Sequence, residues 1–144
     1  MTDPISPVDL YEEIDRAAAE HEEWLISSRL WLHAHPELSN REEQTAAYVA
    51  AQLRELGLDE VRTGIAGHGV VGVLRGGLPG ERVIALRADM DALPVEAVDG
   101  IGPVSHACGH DCHAADDAAL RDNVRVHAHV AVDHLLGILA RVPR

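Results

Sequence analysis

The chain has 144 residues, 25% of them charged and 47% hydrophobic, with a formal net charge of -12. Its length and balance predict one compact globular domain rather than a fibrous or disordered chain, and its negative charge argues against nucleic acid or an anionic membrane as a partner. The N-terminal residues show no export signal and no later stretch approaches the roughly 18 apolar residues of a membrane span, so we expect a cytoplasmic protein with reduced cysteines.

Two helices are predicted within the first 57 residues. Ser6 and Pro7 form a helix start signal, apolar residues then recur in steps of three and four as far as Leu32, and Pro36 ends the pattern. Residues 39–42 match a capping box for a second helix, with Ser39 as the cap, and Gly57 is the expected stop.

Three strands of a mixed sheet are predicted next, over residues 61–65, 70–74 and 82–86. Residues 67–72 match G-x-G-x-x-G, but no helix is predicted after them, so a hairpin is the better interpretation than nucleotide binding. The third strand is continuously apolar, as in a strand buried on both faces, and residues 90–103 after it look like a loop. The sequence therefore predicts an α/β fold.

A dense group of side chains that could bind a metal follows this loop. Thiolates together with imidazoles favour zinc or another late first-row metal, and Gly109 would let neighbouring side chains converge on one ion. Asp111 could accept an N–H from a ligand imidazole. The alternative is a surface loop of histidines with two small buried cysteines. The metal interpretation depends chiefly on Cys108 and His110 within the full set: His106, Cys108, His110, Asp111, Cys112 and His113.

Two carboxylates, Asp89 and Asp91, stand where the third predicted strand ends. The carboxyl end of a buried strand is a common ligand position, so these acids could serve a metal site or acid–base chemistry. They could equally be turn or capping residues. The nearby metal motif favours the functional interpretation.

Residues 32–39, 85–94 and 106–113 together resemble the N-terminal part of the zinc metallopeptidase family that includes N-acyl-amino-acid amidohydrolases, hippurate hydrolases and auxin-conjugate hydrolases. The resemblance implies a metallopeptidase-like catalytic domain that hydrolyses the amide of an N-acyl amino acid with two divalent ions, zinc or manganese, or else cobalt. It also implies that Cys108 and His110 are metal ligands, and that Asp91 is a catalytic residue that supports the metal site.

The resemblance ends near Ala114. We therefore expect residues 1–114 to be the N-terminal part of an amidohydrolase catalytic domain, and residues 115–144 to be an atypical tail from out-of-frame translation or a degenerate gene end. The family's general-base glutamate, its other metal ligands and its dimerisation domain have no recognisable counterpart. A catalytically inactive remnant or small metal-binding module is thus the alternative, unless histidines of the tail complete the site: His127, His129 and His134.

Overall fold

The computed structural model describes residues 7–76, 83–96 and 102–111. These residues fall into two compact units, so the predicted single unit is divided: residues 7–28 and 83–87 belong to one unit, and residues 29–76, 88–96 and 102–111 to the other. The domain boundary predicted at residue 114 lies outside the described ranges. Within those ranges, no helix is long and apolar enough to cross a membrane.

The first predicted helix is present as two consecutive helices, α1 (Pro7–Glu20) and α2 (Glu22–Ala34). His21 forms a turn between them, yet its backbone N–H donates to Ala17 at 3.2 Å and its carbonyl accepts from Leu25 at 3.0 Å. Helical hydrogen bonding therefore continues through the interruption. The predicted end before Pro36 is confirmed, because proline disfavours a helical conformation in the residue preceding it.

The second predicted helix is α3 (Glu43–Glu55), and the predicted stop is confirmed by Gly57, which has a left-handed φ of 76°. The predicted capping box is wrong. The N-cap position is Glu42, which makes no side-chain cap hydrogen bond. The carboxylate of Glu37 accepts from the backbone N–H of Thr45 at 2.8 Å instead. A carboxylate from outside the helix thus accepts a hydrogen bond from a backbone N–H in the first turn of α3.

Helix α3 packs against a hairpin of two antiparallel strands, β1 (Glu60–Ile65) and β2 (Gly69–Val73), which confirms the first two predicted strands and the glycine turn. Gly72 allows a close approach here. A Cβ atom at this position would lie 2.4 Å from Cδ2 of Leu58 and 3.2 Å from Cδ1 of Leu53. The absence of a side chain at Gly72 therefore makes room for the leucines at the end of α3.

The third predicted strand is wrong where it can be observed, because residues 83–86 form no strand. Val83 is 83% exposed and Leu86 is 64% exposed, whereas the apolar pattern predicted burial on both faces. A buried central strand needs a neighbour on each side, and no strand among the described residues pairs with this segment. A strand pattern alone does not supply the partners.

Part of the predicted loop forms a second short hairpin, in which β3 (Leu93–Pro94) pairs antiparallel with β4 (Val104–Ser105). The α/β class is confirmed, but the described strands form two separate two-stranded sheets instead of one mixed sheet. The N–H of Val95 donates to the carbonyl of Pro103 at 3.0 Å and extends the pairing by one step.

The interior of the second unit is built from small side chains. Ala46, Ala50, Ala92 and Thr45 are all at most 7% exposed. Beside them, the indole of Trp31 on α2 stacks on the ring of Tyr48 on α3, with ring centroids 4.0 Å apart, and on His35 at 4.2 Å. This three-ring stack joins the end of α2 to α3.

Candidate metal centre

The β3–β4 hairpin brings the two predicted functional motifs together. Asp91 lies two residues before β3, and His106 directly follows β4. Since Leu93 pairs with Ser105 in antiparallel register, residues on these two sides of the hairpin are neighbours. A tight turn follows, in which the N–H of Gly109 donates to the carbonyl of His106 at 2.9 Å. The left-handed φ of 76° at Gly109 confirms the predicted turn there.

All three residues predicted from the resemblance lie in contact. The Nδ1 atom of His110 is 2.8 Å from Oδ1 of Asp91 and 3.0 Å from its carbonyl oxygen. The thiol of Cys108 donates to that same carbonyl oxygen at 3.4 Å. An ionised carboxylate can only accept, so the imidazole carries its proton on Nδ1 and directs Nε2 away from Asp91. This is the arrangement in which a carboxylate orients a metal-binding histidine.

The ionised state of Asp91 is favoured by its surroundings. Burial alone would raise its pKa, but hydrogen bonds from the side chain of His110, from its own backbone and from Ser39 outweigh burial and lower the pKa. Ser39 is brought there by a parallel bridge between Leu38 and Ala92, in which the N–H of Ala92 donates to the carbonyl of Glu37 at 2.7 Å. Ser39, which was predicted to cap α3, therefore donates a hydrogen bond to Asp91.

The carboxylate of Glu37 connects this bridge to α3. It accepts from the backbone N–H and the hydroxyl of Thr45, each at 2.8 Å, and from the N–H of Gln44 at 3.2 Å. Burial acts to raise the pKa of Glu37, but these donors together hold it below its ordinary value. Because Thr45 is fully buried, its hydroxyl depends on this carboxylate.

Asp111 was predicted to orient a ligand imidazole, and it does accept from an imidazole, that of His33 on α2. The distance from Nδ1 of His33 to Oδ2 of Asp111 is 2.6 Å, and the side chain of Asp111 is 1% exposed. The partner found at Nδ1 of His110 is Asp91. Asp111 thus connects the candidate metal loop to α2.

His106 is 5% exposed, and neither of its ring nitrogens has a hydrogen-bond partner. Burial lowers the pKa of this imidazole; Asp111 acts in the opposite direction, while the charges of His33 and His110 lower the pKa further. The backbone of Leu32 lies near enough to raise the pKa but not in regular hydrogen-bond geometry. His106 is therefore favoured as a neutral side chain inside the loop.

The donor types at this site fit a divalent metal in part. A half-buried thiol and an imidazole with a carboxylate partner are suited to zinc or another late first-row ion. However, over residues 7–76, 83–96 and 102–111 no three His, Cys, Asp or Glu side chains are grouped so as to hold an ion. Cys112, His113 and the histidines of the tail, which were also considered, lie outside these ranges. The described residues thus form part of a coordination shell.

Sequence reasoning assigned no role to His33 or Glu37, although both belong to the first motif of the resemblance. Their partners are remote in sequence: His33 and Asp111 are 78 residues apart. Only their presence in a motif shared with a family could have pointed to them. Local patterns do not reveal contacts of this kind.

No family model matches the chain. Individual proteins do. The chain is 45% identical to thermostable carboxypeptidase 2 of Saccharolobus solfataricus over an aligned region of 115 residues. This region covers 75% of this chain and 29% of that protein. The chain is 44% identical over 110 residues to an N-acyl-L-amino acid amidohydrolase of Geobacillus stearothermophilus, covering 72% of this chain and 29% of that protein.

A solved structure is also similar to this chain. The crystal structure of a protein assigned as an aminohydrolase from methicillin-resistant Staphylococcus aureus matches with a TM-score of 0.61 and 33% identity, covering 83% of this chain and 30% of that one. The chain spans about three tenths of the length of these relatives. It therefore belongs to the amidohydrolase and carboxypeptidase family of metal-dependent hydrolases, of which it matches the N-terminal portion.

Proposed function

We propose that this chain carries one part of the active site of a metal-dependent amidohydrolase, in which Cys108 and His110 bind a divalent ion and Asp91 orients His110. The observation that carries the proposal is the convergence of the thiol and the imidazole on one backbone oxygen of Asp91, at 3.4 and 3.0 Å. Two side chains so placed, one of them held by a carboxylate, are the beginning of a coordination shell. Zinc or cobalt would suit this thiolate and imidazole pair, and carboxylates supplied from elsewhere would extend the choice to manganese.

The proposed reaction is hydrolysis of the amide of an N-acyl amino acid, giving a carboxylic acid and the free amino acid. The similarity to a protein named as an N-acyl-L-amino acid amidohydrolase supports this substrate class. When bound, a divalent ion supplies polarisation of the amide carbonyl and a lower pKa for a bound water. The part of Asp91 is to keep the proton on Nδ1 of His110, so that Nε2 has the lone pair for coordination.

A second candidate function is a metal-binding module without turnover. It is favoured by the described residues themselves, which group no three possible ligands around one point. Two protein ligands leave most of the shell to water, and losing a general base costs roughly 10²- to 10⁴-fold in rate even with the metal present. Both candidate functions assume the same proposed division of the chain, an N-terminal catalytic part over residues 1–114 followed by an atypical tail.

The experiment that separates the two is to purify the full chain with zinc, manganese or cobalt and measure its metal content beside hydrolysis of N-acetyl and N-benzoyl amino acids. Cys108→Ser removes the proposed thiolate ligand. Cys112→Ser makes the same chemical change at the second cysteine, which the sequence also makes a possible ligand, and so tells the two positions apart. Metal bound by the wild type and by Cys112→Ser but lost in Cys108→Ser supports the site. Turnover that follows the same pattern refutes the inactive module. Metal binding that is unchanged in Cys108→Ser contradicts the assignment of Cys108.

A further inference from the structure

A side-chain pair whose members are 78 residues apart in the sequence connects the loop of residues 106–111 to α2. Nδ1 of His33 donates to Oδ2 of Asp111 at 2.6 Å, and Asp111 directly follows the candidate ligand His110. The other end of the loop continues from β4. The pair therefore acts at the end of the loop that lies farther from β4 along the chain.

The two members of the pair differ greatly in exposure. The side chain of Asp111 is 1% exposed, whereas that of His33 is 55% exposed. Removing a partner from a buried carboxylate is costly, because the charge keeps its desolvation penalty and loses the stabilisation that this partner gave. Removing an exposed imidazole loses little apolar burial. Asp111 therefore gains most from the pair, and His33 is the position at which the pair can be broken with the least damage elsewhere.

The position of Asp111 affects the residues around it in the loop. The buried imidazole of His106, without a hydrogen-bond partner, feels the charge of Asp111. Between these two residues the turn closed by Gly109 carries Cys108 and His110. A shift of Asp111 would thus displace both candidate ligands from Asp91.

We propose that His33 and Asp111 are positioning residues, which hold the loop of residues 106–111 against α2 so that Cys108 and His110 face Asp91 before any metal binds. This inference rests on the proposed function for its consequence, metal affinity. The order of the loop is a property of the metal-free chain and can be measured separately. When the ligands are ordered beforehand, the free energy of metal binding does not include the entropic cost of ordering the loop.

The test uses exchange variants of His33 in the full chain. His33→Leu removes the donor. His33→Asn keeps an N–H donor at the place of Nδ1 and should therefore preserve the hydrogen bond to Asp111. The matched control is Arg62→Gln, which breaks a second side-chain pair at 2.6 Å, the pair of Arg62 with Glu60 on β1. Two readouts are needed: amide hydrogen exchange of residues 106–111 without metal, and Co²⁺ affinity followed by the absorption of the cobalt–thiolate bond.

In His33→Leu we expect the loop amides, including that of Gly109, to exchange roughly tenfold faster while α3 keeps its protection. Co²⁺ should bind roughly 10- to 100-fold more weakly, the usual effect of losing a group that supports a ligand. His33→Asn should remain within about threefold of the wild type in each measurement, and Arg62→Gln should match it.

Unchanged loop exchange in His33→Leu overturns the inference, whatever the metal result. So does faster exchange with unchanged Co²⁺ affinity, because the pair would then order the loop without serving the ligands. A wild-type chain that binds no Co²⁺ refutes the proposed function, and loop exchange still decides whether the pair holds the loop. If His33→Leu loses protection in α3 as well, His33→Gln replaces it, since it keeps a polar group at this exposed position but moves the donor to the Nε position.

Discussion

The α3–hairpin layer and the cluster around Asp91 lie in the same unit but are held together in different ways. In the layer, contacting elements follow one another directly in the sequence, as α3, β1 and β2, and Gly72 on β2 lies against leucine side chains. In the cluster, hydrogen bonds join residues separated by 8, 19 and 78 positions. Local sequence patterns specify the first kind of contact, whereas the second requires the whole unit to be assembled.

This difference is visible in what could be predicted. The end of α2 at Ala34, the end of α3 at Glu55 shortly before Gly57, and the glycine hairpin follow from proline, glycine and periodicity. These signals act over a few residues. The capping box failed because the carboxylate of Glu37 competes for the first turn of α3 and Ser39 is drawn to Asp91. Neither contact has a local signal.

The candidate site was predicted by residue type and spacing together with a family resemblance, and the structure brings Asp91, Cys108 and His110 into contact. Their roles as ligands and support stay predictions. For residues 83–86, in contrast, the sequence pattern predicted a structure that is not present. Their pattern is that of a buried strand, yet Val83 is 83% exposed, because a central strand exists only where neighbouring strands pair with it.

The largest effect on stability is expected from Glu37→Leu, which breaks the cluster. The buried hydroxyl and the N–H of Thr45 would each lose an acceptor at 2.8 Å, and α3 would lose the anion at its first turn. We expect the free energy of unfolding to fall by about 3 kcal/mol, since hydrogen bonds to charged groups each contribute about 1.5–3 kcal/mol. Urea denaturation measures it. A loss below about 0.5 kcal/mol would show that α3 does not depend on this carboxylate.

Gly72→Val tests the layer and should have the next largest effect. The new Cβ would start 2.4 Å from Cδ2 of Leu58, so the leucines or the strand must move. Overpacking of this kind costs about 1–3 kcal/mol. The double variant Gly72→Val, Leu58→Ala should recover part of that loss in a double-mutant cycle, because the second change removes the obstructing atoms. Strictly additive losses would contradict the proposed contact.

The pH dependence of stability should separate the two regions further. The pKa of Glu37 is lower in the folded chain than its ordinary value of 4.5. Its contribution to stability is therefore complete above about pH 4.5 and is lost as the pH falls through the folded pKa. Glu37→Gln should flatten this part of the unfolding profile between pH 7 and pH 3. An unchanged slope in the variant would show that other carboxyl groups account for the acid sensitivity.

The smallest effect is expected at the exposed ion pair of Arg62 and Glu60 on β1, although its distance of 2.6 Å equals that of the His33–Asp111 pair. Water screens an exposed pair, so Arg62→Gln should leave the free energy of unfolding nearly unchanged. His33→Leu should cost about 1–3 kcal/mol, because its partner is buried. Equal losses in the two variants, measured by urea denaturation, would remove the distinction drawn between them.

The three-ring stack of His35, Trp31 and Tyr48 gives the chain an optical property. The indole of Trp31 lies face to face with an imidazole and a phenol, with ring centroids at 4.2 and 4.0 Å, whereas Trp24 meets the ring of His21 edge to face at 6.5 Å. Stacked imidazole quenches indole emission. The fluorescence of Trp31 should therefore be dim while α2 stays docked on α3 and brighten when they separate, which makes it a reporter of the helix that carries His33.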